Sequence, residues 1–429
     1  MEKKVFEHLG ETLYHEQLAN GLNVYLLPKP GFNKSYATFT TKYGSIDNEF
    51  VPLGKDEMTH VPDGIAHFLE HKLFEKEEYD VFEKFSLHSA SSNAFTSFTR
   101  TCYLFSCTSD LSQNLTTLID FVQSPYFTEK TVEKEKGIIA QEIKMYDDNP
   151  DFKAYYGVIN NLYHHHPVKI DIAGTVESIQ PITAELLYQC YETFYHPSNM
   201  IMFVVGDFDV TDVMGLIRDN QSAKTYQKED PIARHYPDEP NSVVTKQRTE
   251  YMEIQTPKVL IGIKDCHMPL KGYDLLKYEL AVEIIYDLLF GSSSAYYEEM
   301  LEKGYINDSF TYEASFDSSY GFSLIGGDTK FPNELAESVK EKLATVKSLE
   351  ISEDDFMRVK NKKVGRFLSA LNSMEFIANQ FTEYAFNEIE LFSINDYLQQ
   401  LTLDELKKYA AMHFNEELMS VYMLLPKQS

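Results

Sequence analysis

The sequence predicts an α+β protein built from two structurally repeated α/β domains, and three observations carry that prediction. An Asn20-Gly21 pair between TLYHEQL and LNVYLLP marks an opening β-hairpin, because both residue types accept the positive φ of a tight primed turn. Residues 182–205 align without a gap on residues 401–424, 219 positions later; Thr183 meets Thr402, Leu187 meets Leu406, Met200 meets Met419 and Glu185 faces Asp404. HFLEHKLF at 67–74 meets EIIYDLLF at 283–290 at an offset of 216, so two offsets nearly agree. Between the copies runs a polar stretch with Pro231, Pro237 and Pro240. The expected organisation is a first domain over 1–220, a linker over 221–248 and a second copy over 249–429.

The elements follow in order. After the hairpin comes a strand over 35–45, then a loop whose Val61, Pro62, Asp63 and Gly64 start a helix through 74. A second helix over 79–86 precedes two alternating runs, SASSNAFTSF and RTCYLFSCT, read as strands. Ser109 and Asp110 are expected to cap the next helix. A longer helix over 128–147 stops at Asn149-Pro150, and another covers 151–163, followed by a loop with His164, His165 and His166. A helix from Thr183 leads to a strand over 200–205. Past the linker the pattern restarts with strands near 251–254 and 259–263, a helix over 275–290, two strands ending at Gly326-Gly327, long helices over 332–387, and a last helix and strand over 403–413 and 418–425.

At 429 residues the chain is long enough for two to three domains, and 43% hydrophobic content suffices for sizeable cores. Its 66 acidic against 39 basic residues, a net charge of -27, argue against nucleic acid or an anionic membrane as the main partner and favour neutral or cationic substrates. Cys102, Cys107, Cys190 and Cys266 show no C-x-x-C pairing, which fits reduced thiols in a cytoplasmic protein. The N-terminus reads as neither a signal nor a transit peptide, and no run approaches a membrane span.

Within GIAHFLEHKLF, His67 and His71 lie four residues apart, roughly 40° around a helix, so both imidazoles face one cleft with Glu70 beside them. Two histidines can take two corners of a zinc tetrahedron, and a neighbouring carboxylate that is not a ligand can accept a proton from water. H-x-x-E-H is the inverted zincin motif. A third ligand is needed, and the helix over 128–147 offers Glu133, Glu135 and Glu142; Glu135 and Glu142 share a face, and spacing does not choose between them. Consecutive histidines cannot share a face, so His164 to His166 read as structural surface and not as a metal cluster.

HFLEH, then NAFTSFTRTCYLF, then EKEKGIIAQEIKMYDDNP and finally YHPSNMIMFVVGDFD together resemble the zinc peptidases of the pitrilysin, insulysin and mitochondrial processing peptidase family, above all its short bacterial type. The resemblance is strong over residues 20–209 and weaker beyond. It implies mostly antiparallel sheets with helices packed on them, two such repeats forming half of a clamshell. It also implies one Zn2+ per chain held by His67, His71 and Glu142, with Glu70 as general base and Glu135 orienting a ligand histidine. Ser92, Asn93, Ala94, Phe95 and Thr96 resemble the family's edge strand, to which an extended peptide substrate adds.

One departure stands out. Complete members carry an Arg and a Tyr in a second-domain segment, where this chain reads EEMLEKGYINDSF; Leu301 stands at the Arg position, Asn307 or Asp308 at the Tyr position, and Tyr305 comes early. The resemblance therefore implies a zinc-bearing subunit of a heterodimer whose sister supplies Arg and Tyr, with a homodimer possible in isolation. The expected activity is a zinc metalloendopeptidase. The alternatives are a non-catalytic assembly subunit, or a peptide-binding or maturation factor with a structural metal.

Overall fold

The computed structural model describes residues 1–226, 231–266, 270–348 and 350–427. Its strands in chain order are β1 (Glu2–Phe6), β2 (Glu11–Gln17), β3 (Asn23–Pro28), β4 (Ser35–Thr41), β5 (Glu49–Phe50), β6 (Thr59–His60), β7 (Ala90–Thr96), β8 (Thr101–Cys107), β9 (Met200–Gly206), β10 (Gln247–Met252), β11 (Lys258–Lys264), β12 (Thr311–Phe316), β13 (Gly321–Asp328) and β14 (Met419–Pro426). They form a seven-stranded sheet ordered β1-β2-β3-β9-β4-β8-β7, a five-stranded sheet ordered β10-β14-β11-β13-β12, and the small β5-β6 pair.

The two sheets share one wiring. In the first, β3 runs parallel to β9, and every other neighbour pair is antiparallel. In the second, β10 runs parallel to β14, with antiparallel pairs from there to β12. Removing β1 and β2 thus leaves two sheets of identical order and polarity, which is the repeat expected from the 219-residue offset. The β2-β3 hairpin turns through Asn20 and Gly21 as expected. The β1 strand, mostly exposed and charged, carries no alternating pattern and was not legible.

Compactness divides the chain differently from the contiguous halves read in the sequence. One unit comprises 1–143, 170–235 and 370–386, and the other 144–169, 236–369 and 387–429. The cause is an exchange of equivalent helices. Helix Pro150–Leu162 packs on β11 and β14 of the second unit, where Gly157 sits so close to Tyr422 that a Cβ would lie 2.4 Å from its ring. Its positional counterpart, helix Met374–Phe386, packs on β4 and β9 of the first unit. There Phe381 stacks edge-on against Tyr25, and Glu383 pairs with Arg100 at 2.9 Å. A hydrophobic pattern shows which face is apolar but not which sheet receives it.

Other expectations need correction. Asp110 does not cap its helix through its side chain; it sits at φ 52° and makes no such bond. β10 begins at Gln247, inside the segment read as linker, and residues 227–230 of that segment lie outside the described residues. His166 is buried and not on the surface.

Part of the segment is anchored within the second unit. Glu239 accepts the backbone N–H groups of His164, His165 and His166 at 2.6, 2.8 and 2.8 Å, and Lys264 Nζ at 2.7 Å. Burial opposes its ionisation, but the Lys264 bond and the three N–H donors outweigh burial and hold the carboxyl down at about 2. A depressed carboxylate contributes stability above its ordinary value near 4.5, and that contribution fades as pH falls toward 2. Glu239→Gln is expected to cost about 3 kcal/mol at pH 7, because a buried Lys264 loses its counter-charge. Urea unfolding should show the difference from the parent chain shrinking between pH 4.5 and 2; a constant difference would contradict this origin.

Candidate metal centre

Helix Ile65–Leu73 opens at Gly64, whose φ is 89° and whose hypothetical Cβ would lie 2.3 Å from the Ala173 carbonyl oxygen. Ile65, Ala66, Phe68, Leu69 and Leu73 bury their side chains in the core of the first unit, which leaves His67, Glu70 and His71 on the other side of the helix. Helix Glu129–Asp147 buries Val132, Lys136, Ile139 and Ile143 along one stripe. Glu135 and Glu142 fall together roughly 80° from that stripe, toward the histidines.

The expected residues converge within the first unit. His67 Nε2 lies 3.8 Å from Glu142 Oε1, and His71 Nε2 lies 3.5 Å from Glu142 Oε2. On its other side His71 Nδ1 meets Glu135 Oε1 at 3.1 Å. Glu70 Oε2 accepts a hydrogen bond from Thr96 Oγ1 at 2.6 Å. Glu133 pairs with Lys136 and takes no part. Among the described residues, His67, His71 and Glu142 form the one group able to hold a metal, with ligand atoms all within 4.8 Å of each other.

The donor set fits zinc. Bonds of about 2.0–2.2 Å to nitrogen and oxygen give a tetrahedron whose edges are about 3.4 Å, longer than a good hydrogen bond and close to the two histidine–Glu142 separations. Two imidazoles and a carboxylate leave the fourth corner for water, as in catalytic sites. Glu135 at Nδ1 fixes the His71 ring so that Nε2 faces Glu142.

Electrostatics agrees with these roles. Burial, reinforced by His71, pushes the His67 imidazole down to about 3, so at neutral pH it keeps a lone pair for a cation. Burial acts on His71 too, but the Glu135 hydrogen bond and the charges of Glu70 and Glu142 outweigh it and raise its proton affinity. Burial raises the Glu70 carboxyl above its ordinary range; Thr96 and His71 oppose the shift and Glu142 adds to it. A carboxyl poised upward suits a group that must both take and return a proton.

β7, which carries Ser92, Asn93, Ala94, Phe95 and Thr96, ends the seven-stranded sheet and pairs on one side with β8. No strand pairs with its outer edge among the described residues, and helices Ile65–Leu73 and Val81–Leu87 pack against the strand. Asn93 Oδ1 accepts the Ala94 N–H, and the Arg100 guanidinium lies over the Phe95 ring at 5.6 Å.

Comparison with known proteins places this architecture. A model of the insulinase family, peptidase family M16, matches residues 51–176, and a model described as the peptidase M16 inactive domain matches residues 181–363. The uncharacterized zinc protease YmfH of Bacillus subtilis is 55% identical over 98% of this chain and 98% of its own length. The chain belongs to the insulinase family of peptidases, family M16. A crystal structure of an M16-like protein from Alicyclobacillus acidocaldarius superposes with a TM-score of 0.94 at 39% identity, covering 97% of this chain and 99% of that one. Pitrilysin matches at TM-score 0.75 and 15% identity, a likeness of fold that covers 100% of this chain but 46% of pitrilysin.

In this M16 chain the second repeat handles the same positions differently. Glu283 and Asp287 stand where the first repeat has His67 and His71, and Tyr286 stands for Glu70. Opposite them, on helix Glu353–Ala370, Lys363 pairs with Glu283, and Lys362 Nζ meets Asp287 Oδ1 at 2.6 Å. Tyr286 OH meets Ser323 Oγ at 2.5 Å. Two ammonium groups supply here the positive charge that a cation would supply in the first repeat. Leu301 is the penultimate residue of helix Ala295–Glu302, with its side chain exposed, Asn307 donates to the Asp328 carbonyl, and Tyr305 packs on Phe331. Asn307 thereby ties its turn to the end of β13, and Tyr305 packs just ahead of helix Pro332–Ala344.

Proposed function

We propose that this chain is a zinc-dependent endopeptidase subunit, with His67, His71 and Glu142 as metal ligands and Glu70 as general base. The observation that carries the reading is the convergence of two histidines and a carboxylate at tetrahedral spacing, beside a buried carboxylate and a sheet edge with no strand paired to it among the described residues. The naming of relatives as zinc proteases supports it. His67, His71 and Glu142 would hold the zinc ion, which would contribute Lewis acidity toward the scissile carbonyl and toward water. Glu70 takes the proton of the attacking water on its carboxylate and delivers it to the leaving amine nitrogen. Main-chain groups of Ser92 to Thr96 hydrogen-bond an extended peptide as an added strand, and side-chain pockets select its sequence.

The missing Arg at Leu301 and the missing Tyr at Asn307 or Asp308 favour a division of labour with a homologous sister subunit, and the match to about half of pitrilysin agrees with a half-enzyme. The chain's net charge of -27 suits basic peptides and a cytoplasmic setting without nucleic acid. Among the described residues no helix is long and apolar enough to cross a membrane. The test is hydrolysis of a quenched-fluorescent peptide mixture by the zinc-loaded chain, alone and with a co-expressed homologue that carries the Arg and Tyr. Little activity alone, restored on mixing and abolished by chelator, is the expected result. Equal activity of the single chain would refute the subunit assignment while leaving the peptidase; chelator-insensitive cleavage would refute the metal.

A further inference from the structure

Thr96 was expected among the residues that bind substrate through the edge strand. We infer a different task for its side chain, resting on the assignment of Glu70 as general base: Thr96 is a positioning residue that fixes the Glu70 carboxylate through its hydroxyl. The hydroxyl donates to Glu70 Oε2 at 2.6 Å, within the range of a strong charge-assisted bond. Its other polar neighbour, Thr101 Oγ1, lies 3.4 Å away and itself donates to the Tyr43 carbonyl, so Thr101 holds its own proton elsewhere and can receive nothing better from Thr96 than a long contact. Among the described residues Glu70 Oε1 has no hydrogen bond, so one carboxylate oxygen is tethered and the other is left for chemistry.

The backbone around Thr96 makes the tether stiff. Thr96 is the last residue of β7 and pairs in register with Thr101, and the chain turns back at once through Ser97, whose N–H donates to the Arg100 carbonyl at 2.8 Å. A β-branched threonine has restricted χ1 freedom, so its hydroxyl has few directions open to it relative to the strand. Glu70 reaches the site on an unbranched stem of two methylenes, which has more staggered rotamers than the threonine. A single bond from the strand to the helix therefore registers the base against the edge on which a peptide would lie. The alternation of β7 puts Ser92, Ala94 and Thr96 on one face, and of these Thr96 is the residue that reaches the base.

Acetohydroxamic acid probes this without turnover, because a hydroxamate chelating zinc presents its hydroxyl to a neighbouring general base. Its affinity for the zinc-loaded full chain, read by calorimetry, is expected to fall about tenfold in Thr96→Val, the loss of one hydrogen bond to a charged group. Thr96→Ser, which keeps the hydroxyl, should retain parental affinity, and zinc content should be unchanged in both. In a Glu70→Gln background, Thr96→Val should add little further loss. Parental affinity in Thr96→Val alongside weakened binding in Glu70→Gln would overturn the positioning role while sparing the base. An equal loss from Thr96→Val in both backgrounds would overturn it too, and loss of zinc in Thr96→Ser would make the residue structural. Unchanged affinity in Glu70→Gln itself would instead remove the general base on which the inference rests.

Discussion

Glu70→Gln should lower peptide hydrolysis by about 10²–10⁴-fold while the protein folds and keeps its zinc. The amide is nearly the same size as the carboxylate and can still accept from Thr96, so the 2.6 Å contact and the packing around a residue only 8% exposed need not change. What is lost is proton affinity: an amide oxygen cannot take the proton of water and return it to the departing nitrogen. The magnitude follows from the share of the barrier that a positioned base removes. Assay of the variant with the sister subunit present, with metal content and thermal unfolding measured on the same sample, checks it. Full activity with intact zinc would remove Glu70 from the reaction.

Removal of a ligand should have the other large effect, on metal content. The parent chain is expected to bind one zinc, and His71→Ala or Glu142→Gln to bind almost none after gel filtration against a mild chelator, since two remaining donors cannot enclose the ion. Glu135→Ala should weaken zinc by about 10–100-fold without abolishing it, because Glu135 orients His71 and does not itself complete the donor set. Glu283→Gln, in the counterpart position of the second repeat, should leave the stoichiometry at one, since Lys363 and not a cation neutralises that carboxylate. Metal analysis across these variants separates the roles; two zinc ions per chain, or loss of zinc in Glu283→Gln, would show that the second repeat takes part in metal binding.

Much of this was legible before the structure because it rests on short-range rules. Histidines four apart on a helix share a face whatever surrounds them, and a gapless match of 24 positions between residues 182–205 and 401–424 marks a repeated helix and strand, from which a repeated unit follows. The choice between Glu135 and Glu142 was not legible from spacing, since both lie on one face; it depended on resemblance, and the structure sets one glutamate at Nδ1 and the other at Nε2 of His71. The exchange of helices Pro150–Leu162 and Met374–Phe386 was hidden because an apolar face does not name its partner. Glu239 was hidden for a related reason: one acidic residue in a polar stretch gives no sign that three backbone N–H groups converge on it. Thr96 was noticed, but for its strand and not for its hydroxyl. Side chains that belong to one element and serve another leave little trace in local pattern.

X-ray absorption at the zinc edge of the purified chain reads out whether the two histidines and Glu142 hold the metal. The spectrum should show two imidazole nitrogens with oxygen donors at about 2.0–2.2 Å and no sulfur shell near 2.3 Å, and the signal should vanish in His71→Ala. A sulfur shell, or a spectrum unchanged by His71→Ala, would mean that other residues hold the metal.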